Sequence, residues 1–238
     1  MPELTIVVPC YNEVTVIAKT LSNIMDALAG RSLEAEVLVV DDCSTDNTAG
    51  VVAAYQNAHP DAMVKLHRNP VNRGSGYSYA AGAAFGTGRW CILVPGDNDL
   101  PADALSAIFN RLGSAEILLP YPRLEDFRER PLLRRVVSRA YNALICFAGG
   151  IRVRYVHSPP VYPREFIVSS KISPSGFGYF AELLCLAVRT GLTVAEFPVP
   201  ALYGQQEGTS AFRLANLRSV AASIARIFMR RVLPRSHG

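Results

Sequence analysis

The chain has 238 residues, of which 50% are hydrophobic and 18% charged, and its formal net charge is +4. That length supports one large domain or two small ones with a core of their own, and the composition excludes a disordered or acidic solvating chain. The charge is unevenly placed, at −6 over residues 1–120 (7 basic, 13 acidic) and +10 over residues 121–238 (17 basic, 7 acidic), and a basic half suggests an anionic partner.

Residues 4–8 are a short apolar, β-branched run closed by Pro9, which predicts a strand. Over residues 13–28 the apolar positions Val16, Ile17, Leu21, Ile24, Met25 and Leu28 recur at helical spacing. Residues 37–40 are a second apolar strand, and Ser44, Asp46 and Asn47 offer caps to a helix reaching Tyr55. A weaker strand at 62–67 precedes a Gly- and Ala-rich helix over 74–85, whose small residues predict close packing or a close approach to a ligand. A strand at 90–94, a helix at 103–112 and a strand at 117–119 follow. Strands apolar throughout and alternating with helices predict an α/β layer fold with a mainly parallel, Rossmann-like sheet flanked by helices.

Residues 121–135 are Arg-rich and broken by Pro, which predicts a loop. A helix is expected over 135–148, irregular chain with short extended pieces over 149–176, and a helix over 177–190. A strand at 192–197, a polar loop at 202–210 and a last helix at 212–232 complete the chain. No run of about 18–20 apolar residues free of charge exists, so no spanning segment is expected. The N-terminus has no basic leader, and no signal peptide is expected. Five cysteines without a CxxC pair argue against zinc and redox motifs and for free thiols in a reducing compartment.

In open α/β sheets ligands bind at the C-terminal ends of the strands. Here those ends carry Glu13 after the first strand, Asp41, Asp42 and Asp46 after the second, and Asp97 and Asp99 after the fourth. So many carboxylates repel one another unless a cation sits among them, and Mg²⁺ or Mn²⁺ commonly shares one or two carboxylates with substrate phosphates. A Gly-rich turn over 72–76, with Gly74 at its centre, offers backbone N–H groups to a phosphate or base.

VVPCYNE (7–13), VLVVDDCSTDNT (37–48), NRGSGYSYAAG (72–82) and GRWCILVPGDND (88–99) together resemble the family 2 glycosyltransferases of the GT-A fold. The resemblance implies a single GT-A domain and a nucleotide-sugar donor, with Pro9, Tyr11, Glu13 and Asp42 around the nucleoside and Asp41 beside them. Within that family the chain is most similar to the dolichyl- or polyprenyl-phosphate mannosyl- and glucosyltransferases. LRRVVSR (133–139), GYFAELL (178–184) and QQEGTS (205–210) carry that second likeness. It implies a nucleotide-sugar-binding half over 1–120, an acceptor-binding half over 121–238, a GDP-mannose or UDP-glucose donor and a polyprenyl phosphate acceptor. No nucleic acid partner is expected.

Counted from Gly88-Arg89, the family's Asp-Ala-Asp falls on Pro95-Gly96-Asp97, so Asp97 matches its second carboxylate and Asp99 lies two residues beyond. By this likeness Asp97 and Asp99 hold the metal, while Arg123 and Arg139 face the acceptor phosphate. Glu182, Gln205 and Ser210 belong to the phosphate and acceptor loop, with Gln205 where relatives carry Arg. A lipid phosphate is already anionic and needs no general base, and Glu182 is expected to position the basic loop. Two other readings stay open: transfer to a glycan or small-molecule hydroxyl, and a non-catalytic nucleotide-sugar-binding partner of a membrane complex, which Pro95, Tyr155 and Gln205 favour. In the last helix Leu214, Leu217, Val220, Ile224, Ile227 and Phe228 share one face and Arg218, Arg226 and Arg230 the other. That pattern fits either a helix packed on the core or one lying on an anionic membrane. The expected location is cytoplasmic, peripheral at the inner face of the membrane, with a membrane-protein partner also open.

Overall fold

The structure is a computed structural model that describes residues 2–174, 178–200 and 214–232, with side chains of the last helix from residue 221 on. In chain order it forms β1 (Leu4–Cys10), α1 (Ile17–Leu28), β2 (Ala35–Asp41), α2 (Thr48–Ala58), β3 (Val64–Arg68), α3 (Ser75–Phe85), β4 (Trp90–Leu93) and α4 (Ala102–Phe109). The second half adds β5 (Ile117–Pro122), α5 (Leu124–Glu129), α6 (Leu132–Gly149), β6 (Val161–Pro163), α7 (Arg164–Ser169), α8 (Tyr179–Arg189), β7 (Val194–Val199) and α9 (Leu214–Val232).

The strands form one seven-stranded sheet in the order β3-β2-β1-β4-β6-β5-β7. β1 pairs in parallel with β2 and β4, β2 with β3, and β5 with β7, while β6 runs antiparallel to β4 and β5. All seven residues of β1 are buried, as a central strand covered on both faces requires. Leu4, Ile6 and Val8 point to one core with Ile17, Leu21 and Ile24 of α1, Val52 of α2 and Leu105 and Ile108 of α4. Val7 points the other way, to Tyr79 and Ala83 of α3, Ile167 of α7 and Leu183 of α8. A third cluster joins Leu119 of β5 to Ile145 of α6, Leu184 of α8 and Ile227 of α9.

The expected mainly parallel α/β sheet is therefore present, and the division at residue 120 falls inside β5. Two expectations need correction. Residues 124–129 are helix α5, not loop, and Pro131 sits at the N-cap of α6, so helix resumes at Leu132. Glu125 and Asp126 lie in the first turn of α5, where negative charge suits the helix dipole. Pro here separates two helices instead of abolishing both, because its fixed φ suits a helix start. The stretch expected to be irregular with short extended pieces contains one such piece, β6, whose Tyr162 lies opposite Cys91 of β4, and also the short helix α7, which was not expected.

Candidate active site at the sheet switch point

From β1 the chain moves outward through β2 and β3, then crosses to β4 on the other side of β1. The crevice between the ends of β1 and β4 is thus a topological switch point, the usual ligand position in such sheets. Glu13 follows β1 and Asp97 follows β4. Gly96 brings those two exits together. A Cβ there would lie 2.8 Å from Cys10 Cβ and 3.0 Å from the Pro9 carbonyl oxygen. Instead the Gly96 N–H donates to Pro9 O at 3.0 Å, and Thr20 Oγ1 of α1 donates to Gly96 O at 2.9 Å.

Asn98, between the two aspartates, adopts φ 64° in the left-handed region. Asn23 Nδ2 of α1 donates to Asn98 Oδ1 at 2.8 Å, and the Asp99 N–H donates to Asp97 Oδ1 at 3.2 Å. This tight turn holds both aspartates at the exit of β4, next to the exit of β1 that carries Glu13. Burial pushes the Glu13 carboxyl up to about 7, with Asp97, Asp46 and Asp99 adding repulsion. Burial and then the Asp97 charge push Asp99 up to about 6, against the pull of Arg130. Asp97 is raised by burial.

Among the described residues, no group of three or more His, Cys, Asp or Glu side chains is arranged to hold a metal by itself. The Asp97–Asp99 pair nevertheless fits Mg²⁺ or Mn²⁺, whose nucleotide sites use one or two carboxylates and leave the remaining positions to phosphate and water. A hard cation there would offset the repulsion that raises Glu13 and Asp99.

The loops after β1 and β2 are tied to each other. The Asn12 N–H donates to Ser44 Oγ at 3.0 Å, Glu13 N–H to Thr48 Oγ1 at 2.8 Å and Val14 N–H to Asp46 Oδ2 at 3.2 Å. Asn12 Oδ1 accepts the Thr45 N–H at 2.8 Å in return. Pro9 is buried in β1 and Tyr11 is 45% exposed at the crevice edge. Asp41 Oδ1 accepts the Ser44 N–H at 2.9 Å. Its buried Oδ2 lies 3.1 Å from Arg68 Nε, an ion pair without hydrogen-bond alignment. Asp42 spends both oxygens on the Gly-rich turn, accepting from Asn69 Nδ2 at 2.7 Å, Arg73 N–H at 3.0 Å and Gly74 N–H at 2.6 Å. Gly74, at φ 86°, makes that turn available to the chain.

On the other side of the crevice the arginines separate. Arg123 is half-exposed, with Nη1 3.8 Å from Glu125, and Arg139 lies over the Phe127 ring at 5.3 Å. Arg130, which the sequence pattern does not single out among its Arg-rich neighbours, is the one whose charge acts on Asp99. Its Nη1 donates to Tyr155 Oη at 3.0 Å, and Tyr155 leads to His157, which stacks on Tyr141 with ring centroids 4.8 Å apart. A cavity of about 160 Å³ lies next to this group, lined by Pro95, Leu100, Tyr141, His157, Ser158 and Phe180. Pro95 thus presents an apolar wall to the cavity. Buried Glu182 of α8 accepts from Arg226 Nε of α9 at 2.8 Å, with Arg230 Nε at 3.9 Å. Gln205 and Ser210 lie outside the described residues.

Thr20 and Asn23 were also not anticipated. The available signal was polar residues set among the apolar positions Ile17, Leu21 and Ile24 of α1.

The family model described as Glycosyl transferase family 2 matches residues 5–172. The chain is 36% identical over 115 residues to the succinoglycan biosynthesis protein ExoO of Rhizobium meliloti (strain 1021), covering 48% of this chain and 31% of that protein. It is 26% identical over 244 residues to the polyprenol monophosphomannose synthase of Mycolicibacterium smegmatis (strain ATCC 700084 / mc(2)155), covering 98% of this chain and 89% of that one. The chain therefore spans under a third of the rhizobial relative and most of the mycobacterial one. Glucosyl-3-phosphoglycerate synthase from Mycobacterium tuberculosis, solved with Mn²⁺, UDP-glucose and phosphoglyceric acid, superposes with a TM-score of 0.71 at 18% identity, over 99% of this chain and 81% of that chain. That likeness establishes the GT-A fold.

Proposed function

Because the chain belongs to glycosyl transferase family 2, we propose that it transfers a hexose, mannose or glucose, from GDP-mannose or UDP-glucose to polyprenyl phosphate with inversion at C1. One arrangement carries this reading: the exits of β1 and β4, which carry Glu13 and the Asp97–Asp99 turn, are drawn together at the switch point by the Gly96 N–H to Pro9 O hydrogen bond. The mycobacterial relative's name supports a polyprenol acceptor, and the solved neighbour's Mn²⁺ and UDP-glucose support a metal-assisted nucleotide-sugar site.

In this reading Pro9, Tyr11 and Glu13 border the nucleoside, and the tied loops after β1 and β2 give it a fixed floor. Asp42 acts one step removed, by holding the turn at Gly74 in place. Asp97 and Asp99 would hold a divalent cation, which would supply charge stabilisation to the departing diphosphate. An acceptor phosphate oxygen attacks C1 as the bond to the diphosphate breaks, and no proton needs to be removed from it. Arg130 adds fixed positive charge on the acceptor side, with Arg123 and Arg139 at its margins. Glu182 holds α9 through Arg226 and takes no proton. Residues 1–120 then form the donor side and residues 121–238 the acceptor side.

A thermal-shift screen of nucleoside diphosphates with and without Mn²⁺ tests the donor site. At a hundredfold excess over Kd, binding adds about 2.7 kcal/mol, or roughly 5–10 °C for a chain of this size. GDP or UDP with Mn²⁺ gives that shift, and the Asp97→Asn/Asp99→Asn variant loses the Mn²⁺-dependent part. Failure of every nucleotide to produce a shift contradicts the proposal.

A further inference from the structure

The cavity of about 160 Å³ lies against the turn that carries Asp97 and Asp99. Leu93 and Pro95 line it from just before that turn and Leu100 from just after it. The segment leading into β6 supplies Ser158, and β6 itself supplies Tyr162. Both are buried, Ser158 at 6% and Tyr162 at 2% exposure. Among the described residues, neither Ser158 Oγ nor Tyr162 Oη has a hydrogen-bond partner. Tyr79 Oη, also at the cavity, has none either, although the buried Cys91 thiol acts on it. A buried hydroxyl without a partner is costly, and folded chains pair most such groups. Ser158 and Tyr162, unspent at one cavity, therefore point to an occupant that bonds them.

The lining restricts what that occupant can be. It contains no Asp, Glu, Lys or Arg. Its one side chain able to take a positive charge, His157, is held neutral, because burial and then the charge of Arg130 push it down to about 4. A phosphate, a carboxylate or an ammonium group would lie there without a counter-charge, which is strongly unfavourable. An apolar chain would leave both hydroxyls unpaired. Most of the remaining wall is apolar or aromatic, including the rings of Tyr141 and Phe180. What fits is a neutral ring with apolar C–H faces and hydroxyls at its edge, and about 150 Å³ is enough for one six-membered ring. A hexose is such a ring. Water could bond the same hydroxyls, and position favours the sugar. A nucleotide hexose joins its ring directly to the diphosphate, and the cavity adjoins the turn where the diphosphate is placed.

We infer that this cavity seats the hexose of the donor, with Ser158 and Tyr162 hydrogen-bonding its hydroxyls and selecting an uncharged sugar. This seating rests on the proposed function, which puts the diphosphate at Asp97 and Asp99. Selection follows from the same chemistry. A neutral hexose satisfies both hydroxyls, whereas a hexose bearing a carboxylate at C6 would bring a charge into an uncharged cavity.

Calorimetric titration of the full chain in Mn²⁺ tests the inference, with Tyr162→Phe and Ser158→Ala beside the wild type. Each protein is titrated with GDP and GDP-mannose, and with UDP and UDP-glucose. Each substitution removes one unpartnered hydroxyl and keeps the packing, so without nucleotide both variants melt no lower than the wild type. Their Kd for the nucleotide hexose rises about tenfold, as expected for one lost hydrogen bond, while their Kd for the nucleoside diphosphate stays within about twofold of the wild type. The wild type binds the donor oxidised to a carboxylate at C6 about tenfold or more weakly than the neutral donor. The inference is overturned if both variants bind the nucleotide hexose as the wild type does, which would leave only water in the cavity. It is also overturned if they lose nucleotide hexose and plain nucleotide equally, or if the C6 carboxylate binds as well as the neutral sugar. In each of these cases a wild type that binds GDP or UDP keeps the proposed donor site, whereas a wild type that binds no nucleotide overturns both.

Discussion

Asn98 determines how two aspartates two residues apart come to share one site. A non-glycine residue in the left-handed region costs about 1–2 kcal/mol, and Asn bears that conformation better than most. Asn98→Ala is therefore expected to lower stability by about 1 kcal/mol and to weaken Mn²⁺ binding, as read by urea denaturation and calorimetric titration. Asn23→Ala removes the side chain that holds Asn98 and should weaken Mn²⁺ binding with a smaller stability loss. The carboxyls themselves carry a pH signature. Glu13 and Asp99 have folded-state values raised to about 7 and about 6, so they disfavour the folded state once ionised. That cost is fully present above the folded values and vanishes below the unfolded ones. Asp99→Asn should thus raise the melting temperature of the metal-free protein at about pH 8 and change it little at about pH 4. Mn²⁺ should stabilise the wild type far more at the higher pH, and an equal gain at both would contradict the assignment. Asp97 and Asp99 were legible in the sequence because they follow an apolar strand. Arg130 was not, because one arginine among several carries no spacing signal and only the fold brings its charge to bear on Asp99.

At the scale of elements, the attachment of α9 depends on a charge that α8 buries. Glu182 is 3% exposed at its side chain and Arg226 41%, so the pair is neither a surface bridge nor a fully dry one. Arg226→Met leaves the carboxylate without its nearest partner and should cost about 2 kcal/mol in urea denaturation, less than the full loss of a dry pair because water reaches the site. Glu182→Gln should cost less, since the amide still accepts from Arg226. Long helices were readable from apolar spacing, and α1 and α8 fall within a few residues of where periodicity puts them. α5 and α7 were not, being six residues long each and therefore too short to show a period. Proline also misled the reading at Pro131, where it opens a helix. The apolar residues of α6 were visible, but their period says only that they share a face, and whether that face meets core or solvent is decided by which side Ile145 and Ala148 bury.

Over the whole molecule, the uneven charge of the sequence follows the topology. The acidic half supplies β1, β2 and β4, whose ends converge on the carboxylate cluster at the switch point. The basic half supplies α6 and α9, which pack against each other. The parallel order of the central strands was legible from their unbroken hydrophobicity, whereas the antiparallel insertion of β6 between β4 and β5 was not. One measurement bears most directly on the proposed activity: transfer of radiolabelled hexose from GDP-mannose or UDP-glucose to polyprenyl phosphate in the presence of Mn²⁺. The wild type should form a labelled lipid product, and Asp97→Asn/Asp99→Asn should reduce its rate by about a hundredfold or more. A wild type that binds nucleotide but labels only a hydroxyl acceptor, or labels nothing, would contradict the account.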